Sequence, residues 1–548
     1  MKKNPAYYLN KDGEFVIDNY NLAKPFSSFF PGIAGIWGVP IWAFYVNRGQ
    51  AIASFGIKDK DSPIMEFQPA NKSYYLTPLI GFRTFIKLKS SKGPIFYDAF
   101  STSQHSPDCD IESSMIIRPD GLGLKEINHT LGLAVEIDYF SIPKDNYGAL
   151  ARKVTIRNTS RQKKGLEILD GMPQMQPYGI NNMFLKQMSR TIEAWVMVEN
   201  HNNGIPFVRL KVEPADRPEV VHIKQGNFSV SFDNNGLVRP VVETEKIFGM
   251  QDDFVYPKAF LEREKFTYPE KQHVKSKTPC AFAYTNIALK PKSAYSLYTI
   301  IGNMSSLEKL KSNMKRIADV NYFEEKQAES KALISSLYNP VLTVSSSEKF
   351  DRYCAQNFLD NIMRGGSPVS VEHASGTTNI NLYSRKHGDL ERDYNMFLIE
   401  PTYFSQGNGN YRDINQNRRC DVWFNPGIKY ENVLNFFNLI QTDGYNPLVV
   451  KPDRFSFNQD FNSLSRFFNT HSMARIRRLL KKDFTPGEVF LFIEKNNITL
   501  RSSKPDLIRV ILDNSTKHSQ ADHGEGFWID HWHYCLDMLE SYIGLFPE

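Results

Sequence analysis

Cysteine is scarce in this 548-residue chain: Cys109, Cys280, Cys354, Cys420 and Cys535 are widely spaced, odd in number, and include no CxxC pair. That excludes a disulfide scaffold and a zinc ribbon and makes a reducing, cytoplasmic setting the expectation. Long apolar runs are missing too. The longest uncharged stretch, Pro31 to Val46, is broken by Gly32, Gly35, Gly38 and Pro40, so no spanning helix is expected. The opening MKKNPAYYLNKDGEF lacks the apolar segment of a secretory leader. An excess of one charge is also absent. The net charge is +6, with 66 basic and 60 acidic residues mixed along the chain. Neither a basic stripe for nucleic acid nor a polybasic membrane anchor is available. Walker A, GxSxG, HExxH and EF-hand spacings do not occur, and Gly407-x-Gly409 lacks the third glycine of a dinucleotide loop. No metal or resident cofactor is expected.

What is present is concentrated between Tyr403 and Pro426, YFSQGNGNYRDINQNRRCDVWFNP. From Gln406 to Asn425 there is no Lys and no Glu, the residues that usually cover a solvated helix face. Asn, Gln, Asp and Arg alternate instead with Tyr411, Trp423 and Phe424. A pyranose needs this combination: donors and acceptors for its hydroxyls, and a flat apolar surface for its C–H face. Gly407 and Gly409 suit a tight turn, and a helix is expected from about Asn410. On that helix Arg412 and Gln416 share a face at i,i+4, with Asp413 beside Gln416 at i,i+3. These three are candidate substrate ligands. The plainer alternative is a solvated surface helix with a polar loop.

The run NLYSRKHGDLERDYNMF, followed by FSQGNGNYRDINQNRRCDVWF, resembles the inverting glycoside phosphorylases that act on cellobiose, laminaribiose and β-1,3-glucans. The form GNGNYRDINQNRR looks closest to the β-1,3-glucan branch. A second segment, HGEGFWIDHWHYCLDMLESYI from His523, is similar to the family's SDDHLWLP-type segment, whose acidic residue holds the non-reducing-end glucose. Carried to this chain, that likeness adds Trp528 and Asp530 to the candidate substrate-binding residues. The Pro31–Ile57 stretch also resembles the N-terminal domain of that branch. The resemblance implies a super-sandwich followed by an (α/α)6 barrel, inorganic phosphate as co-substrate, a β-glucan oligosaccharide as substrate, and homodimers.

The chain's own periodicities give a compatible order. Residues 1–304 read as a large β-sandwich: Val154 and Ile156, then Phe228, Val230 and Phe232, alternate with polar neighbours, and Asn235-Gly236 supplies a hairpin turn. Residues 305–345 read as a helical linker. Ser305 with Glu308 looks like a capping box, and Leu307, Leu310, Met314 and Ile317 form one stripe. Residues 346–548 read as helices, with stripes at Phe350, Cys354, Phe358 and Ile362, at Val433, Phe436, Phe437 and Ile440, and at Trp528, Trp532, Cys535, Leu539 and Tyr542. Twelve barrel helices of about 11–12 residues with their loops need on the order of 350–400 residues. The 346–548 stretch is shorter, so an incomplete barrel and a longer or partnered enzyme are the expectation.

Phosphorolysis with inversion needs a carboxylic acid to protonate the leaving oxygen while phosphate attacks the opposite face. In the resembling family the general-acid Asp lies beyond the segment matched here at Gly526 to Asp537. No counterpart occurs in this chain, so the catalytic acid is expected beyond Glu548. The cluster Asp522, His523, Glu525, Asp530, His531 and His533 has the composition of a metal site, but i,i+2 histidines diverge on a helix, and a sugar-pocket wall fits it better. The run Arg385, Lys386, His387, Asp389, Glu391, Arg392 and Asp393 reads equally as a salt-bridged loop or a pocket wall. Three functions remain open: a piece of a glycoside phosphorylase inactive by itself, a non-catalytic carbohydrate-binding or assembly module, and an inverting hydrolase. Trp37, Trp42 and Phe44 are not all expected in the sandwich core, because glycines and prolines interrupt any strand there.

Overall fold

The computed structural model describes residues 4–91, 93–101, 109–215, 218–251, 253–262, 265–383, 397–524 and 528–548. Strands dominate to Met304 and build an eleven-stranded sheet, a five-stranded sheet and a four-stranded sheet. In the large sheet the strands Leu133–Ser141, Ala149–Asn158, Ala294–Met304 and Gly226–Asp233 are antiparallel neighbours. Their side chains alternate between two interiors. Val135, Ile137, Leu150, Val154 and Ile156 meet Ile86, Leu88, Leu166 and Ile168 of the five-stranded sheet, making one sandwich core. Phe140, Ala151, Phe228, Val230, Phe232 and Ile300 face the other way, onto Leu310, Ile317, Tyr322 and Phe323.

That second contact revises the half-buried reading of the Phe228 run. The whole strand is buried except Asp233, because helices Leu307–Ile317 and Val320–Tyr338 cover the face that solvent would otherwise reach. Its polar alternates pair inside: Ser231 and Thr299 hydroxyls are 2.9 Å apart, and Asn227 donates to the carbonyl of Gln176 at 2.8 Å. The hairpin also lies one residue earlier than expected. Asp233 pairs with Gly236, so Asn234-Asn235 is the loop and Gly236 takes the positive φ of 113°. The linker stripe holds, but its cap is Ser306, whose hydroxyl accepts from the Lys309 N–H at 3.3 Å, and not the Ser305/Glu308 pair.

After residue 345 helices alternate with strands, which the periodicity reading did not anticipate. A hairpin pairs Ser367–His373 with Gly376–Leu382, and a three-stranded sheet joins Gly409–Asn410, Val449–Phe457 and Ser515–Asp522. The helix Glu348–Gly365 buries Leu359 and Ile362, while Phe350 at the start of the expected stripe is 53% exposed. In Ile529–Leu545 the buried line is His531, Cys535 and Met538, rotated from the expected one, with Trp528 exposed. Among the described residues no helix is long and apolar enough to cross a membrane.

The Pro31–Ile57 stretch joins the two halves. Trp42 and Phe44 lie on Trp42–Val46 and pack with Phe67 and Phe397. Trp37 leaves the sheets altogether. Its ring meets Tyr403, Phe404 and Phe490 edge-on, with centroids 4.9–5.8 Å away, and Lys504 sits over it. Ile33 and Val39 enter the same core, alongside Phe455, Phe484, Val489 and Leu507. The segment therefore braces the start of the Tyr403–Pro426 run.

Candidate functional site

The helix Tyr411–Arg418 starts where the sequence placed it, with Asn410 as its extended N-cap. Asn410 does not cap with an acceptor; its amide donates to Asp413 at 3.1 Å. One face of the helix is buried. Tyr411 donates to the Phe436 carbonyl at 2.9 Å, and Asn415, fully buried, donates to Cys535 Sγ at 3.1 Å. These contacts seat it on helices Glu431–Phe437 and Ile529–Leu545. Two ion pairs flank them: Arg412 with Asp530 at 3.6 Å, and Arg419 with Asp537. The partners are seven residues apart on each helix and advance in the same direction, so the helices run alongside each other for two turns.

Arg412 is the hub of the open end. Its Nε lies 3.3 Å from Asp413 Oδ1, and its Nη1 reaches Asp530. Asp413 is buried, whereas the Arg412 and Asp530 side chains are 49% and 45% exposed. Trp528, 47% exposed, precedes helix Ile529–Leu545, and its ring stacks on His531 at 6.2 Å. His531 in turn packs on Tyr411 at 5.2 Å. Gln416 is exposed one turn along from Arg412. Four of the expected ligands, Arg412, Asp413, Trp528 and Asp530, thus gather at one end of a helix pair, and Gln416 shares the exposed face.

Behind this cluster lie His531, from the run read as a pocket wall, and two buried asparagines. His531 is 5% exposed, its imidazole is held toward the neutral form by burial, and its Nδ1 has no hydrogen-bond partner. Asn446, which donates to the Trp528 carbonyl at 3.3 Å, buries its Oδ1 without a partner, and so does Asn415. Buried polar atoms without partners are few in folded proteins, and here three of them collect behind one cluster. Asn446 carried only a turn signal in the sequence. The other acidic and imidazole groups of the 522–533 run disperse: Asp522 pairs with Lys451, and His523 meets the Leu439 carbonyl. Among the described residues no three metal-type ligands converge. Glu525 and the Arg385–Asp393 run lie outside the described residues.

Two carboxyls in this half are pushed up, and both make their contacts away from Arg412. Burial raises Asp421 to about 7 against the opposing pull of Arg418, and Asn432 donates to it at 3.1 Å. Burial, reinforced by neighbouring Glu488, raises Glu400 to about 8, and its Oε2 has no partner. An acid whose folded value is raised keeps its proton in the folded state after the unfolded chain has lost it. Its contribution therefore falls as pH climbs from about 4.5 to about 8. Glu400→Gln should leave stability unchanged below pH 4.5 and raise it above pH 8, by on the order of 2–4 kcal/mol. Urea melts at pH 4.5 and pH 9 measure this; an equal difference at both would refute it.

No family model matches the sequence, and no curated protein matches it. Solved structures do. A bacterial glucoamylase complexed with acarbose aligns over 78% of this chain and 53% of its own, at 10% identity and a TM-score of 0.39. A protein assigned as a kojibiose phosphorylase from the human microbiome aligns over 76% and 42%, at 8% identity and 0.30. A polysaccharide lyase aligns over 50% and 34%, at 12% identity and 0.28. This chain thus spans about half the length of these proteins or less.

Proposed function

We propose that the paired helices Tyr411–Arg418 and Ile529–Leu545 bind one end of a β-gluco-oligosaccharide, and that the chain is one part of an inverting glycoside phosphorylase. The carrying observation is the contact of Arg412 with both Asp413 and Asp530 beside the open Trp528 ring. A guanidinium offers a planar fork of donors to neighbouring hydroxyls, and the two carboxylates accept from them. An exposed indole supplies the apolar surface that a pyranose C–H face requires. The resemblance of the same two segments to glycoside phosphorylases supports this reading and supplies phosphate as co-substrate. On it, residues 1–304 are the super-sandwich, 305–345 the linker and 346–548 the first part of an (α/α)6 barrel.

A partner chain or second copy completes the site on this proposal. Phe350, Tyr353, Trp423, Phe424, Leu434, Ile529, Leu536 and Ile543 are all exposed on the helices around Tyr411–Arg418. Between Val449 and Asp522, by contrast, no large apolar side chain of a described residue is exposed. Apolar helix faces this crowded are usually covered in the working assembly. The non-catalytic binding module keeps one point in its favour. Both carboxylates at the cluster face a guanidinium, an arrangement suited to accepting hydrogen bonds and not to delivering a proton.

Arg412→Ala should weaken laminaripentaose binding at this site at least tenfold, about 1.4 kcal/mol, while the melting temperature stays near that of the parent. Isothermal titration gives the answer directly. Unaltered affinity in a folded variant would remove the cluster from consideration.

A further inference from the structure

A separate cleft of about 710 Å³ lies between the sandwich and the helical half, away from the Arg412 cluster. One wall is the 221–225 strap and Asn303 at the end of a sheet strand. The other is the C-terminal end of helix Pro486–Lys495, and the start of helix Leu307–Ile317 closes one end. The volume is within the range of about 300–1,000 Å³ that holds small ligands, and junctions between structural units are where such clefts collect.

Its walls are fixed before any ligand arrives. Asn303 accepts from Gln225 Nε2 at 2.6 Å and donates to Asn227 at 2.7 Å. Lys309 Nζ donates to the Glu494 carbonyl at 3.1 Å, tying the linker helix to the opposite wall. The Glu494 carboxylate accepts from Tyr403 and Lys504, each at 2.7 Å.

The lining decides the ligand class. Asn146, Gln225, Ser305, Ser306 and Tyr178 contribute polar lining, and Val39, Ile57, Val221, Ile223 and Leu491 contribute apolar surface. Lys224, Lys309 and Lys495 outnumber Glu308 and Glu494 by one, and His222 stands beside them. A polyanion would meet those two carboxylates, and a polycation would meet three lysines. An uncharged, hydroxyl-rich chain can use donors and acceptors of every kind present. We infer that this cleft is a second carbohydrate-binding site for a neutral oligosaccharide that bridges the sandwich and the helices. It rests on its own lining and does not depend on the role given to Arg412.

The test uses the full chain with laminaripentaose, cellopentaose and inositol hexakisphosphate as probes. Gln225→Trp and Lys495→Trp fill the cleft from opposite walls at positions that are not fully buried, so either alone suffices if the other fails to fold. Each should lower the affinity of one binding event for a neutral pentasaccharide at least tenfold, and Arg412→Ala should leave that event intact. Pentasaccharide binding that survives both blocking variants overturns the inference. Loss only in Arg412→Ala, or binding of inositol hexakisphosphate alone that the tryptophans abolish, overturns it equally.

Discussion

Asp170→Ala is expected to destabilise the protein by about 3–5 kcal/mol, the largest effect of any single substitution considered, because it strands a buried guanidinium. Arg152 points from the large sheet into the sandwich interior and is among the largest fully buried side chains. It meets Asp170 of the five-stranded sheet through both terminal nitrogens, one of them at 3.0 Å. The same guanidinium donates to Gln50 at 2.6 Å, to Thr84 at 3.2 Å and to the Tyr139 hydroxyl at 3.2 Å, and lies 5.0 Å from the Phe82 ring centre. Thr84 donates to Asp170 in turn at 2.7 Å. Removing the carboxylate leaves the other acceptors in place but no compensating charge. Arg152→Met combined with Asp170→Leu should cost far less than either single change, since an apolar pair needs no partner in that interior. Denaturant melts of the four proteins test this, and additive losses would exclude a coupled pair.

The purified chain should release no measurable glucose 1-phosphate from β-1,3- or β-1,4-gluco-oligosaccharides in the presence of phosphate. Leaving-group protonation contributes typically 10²–10⁴-fold. The carboxylates nearest the proposed sugar, Asp413 and Asp530, both face Arg412. Of the described carboxyls that hold a proton near neutrality, Asp421 and Glu400 make their contacts elsewhere in the helical half, and Glu126 lies in the sandwich, where it accepts from Tyr97 at 2.7 Å. Adding a partner that covers the exposed helix faces should restore turnover. Robust phosphate-dependent turnover by the chain alone would mean that a proton donor is already in place. Glucose release without phosphate would point to the hydrolase instead.

The legible parts of this protein were those with an unambiguous period or an unusual composition. Val154 and Ile156 alternate, and their strand is where that alternation puts it. The helix after Asn410 was marked by its turn and by polar residues that do not suit a solvated face. The sheet in the second half was hidden for a physical reason. Val449–Phe457 contains Pro452, and the ladder absorbs it by shifting register between Lys451 and Arg454. Its partner Ser515–Asp522, STKHSQAD, has no apolar alternation at all. Lys517 explains why that polar strand is tolerated. It is largely buried, and Glu431 and Asp453 receive its ammonium at 2.7 and 3.2 Å. Such pairing depends on contacts 64 to 86 residues apart, which no local pattern reports.

Trp37 belongs to the first half by position and to the second by packing. Besides the chain itself, the two halves are therefore held by this aromatic socket, by Trp42 and Phe44 against Phe397, and by Lys309 on the Glu494 carbonyl. A protease cutting within 339–347 would sever the covalent connection and leave the socket closed. The fragments would then separate under denaturing conditions and co-elute under native ones, so a cut preparation could pass for an intact protein.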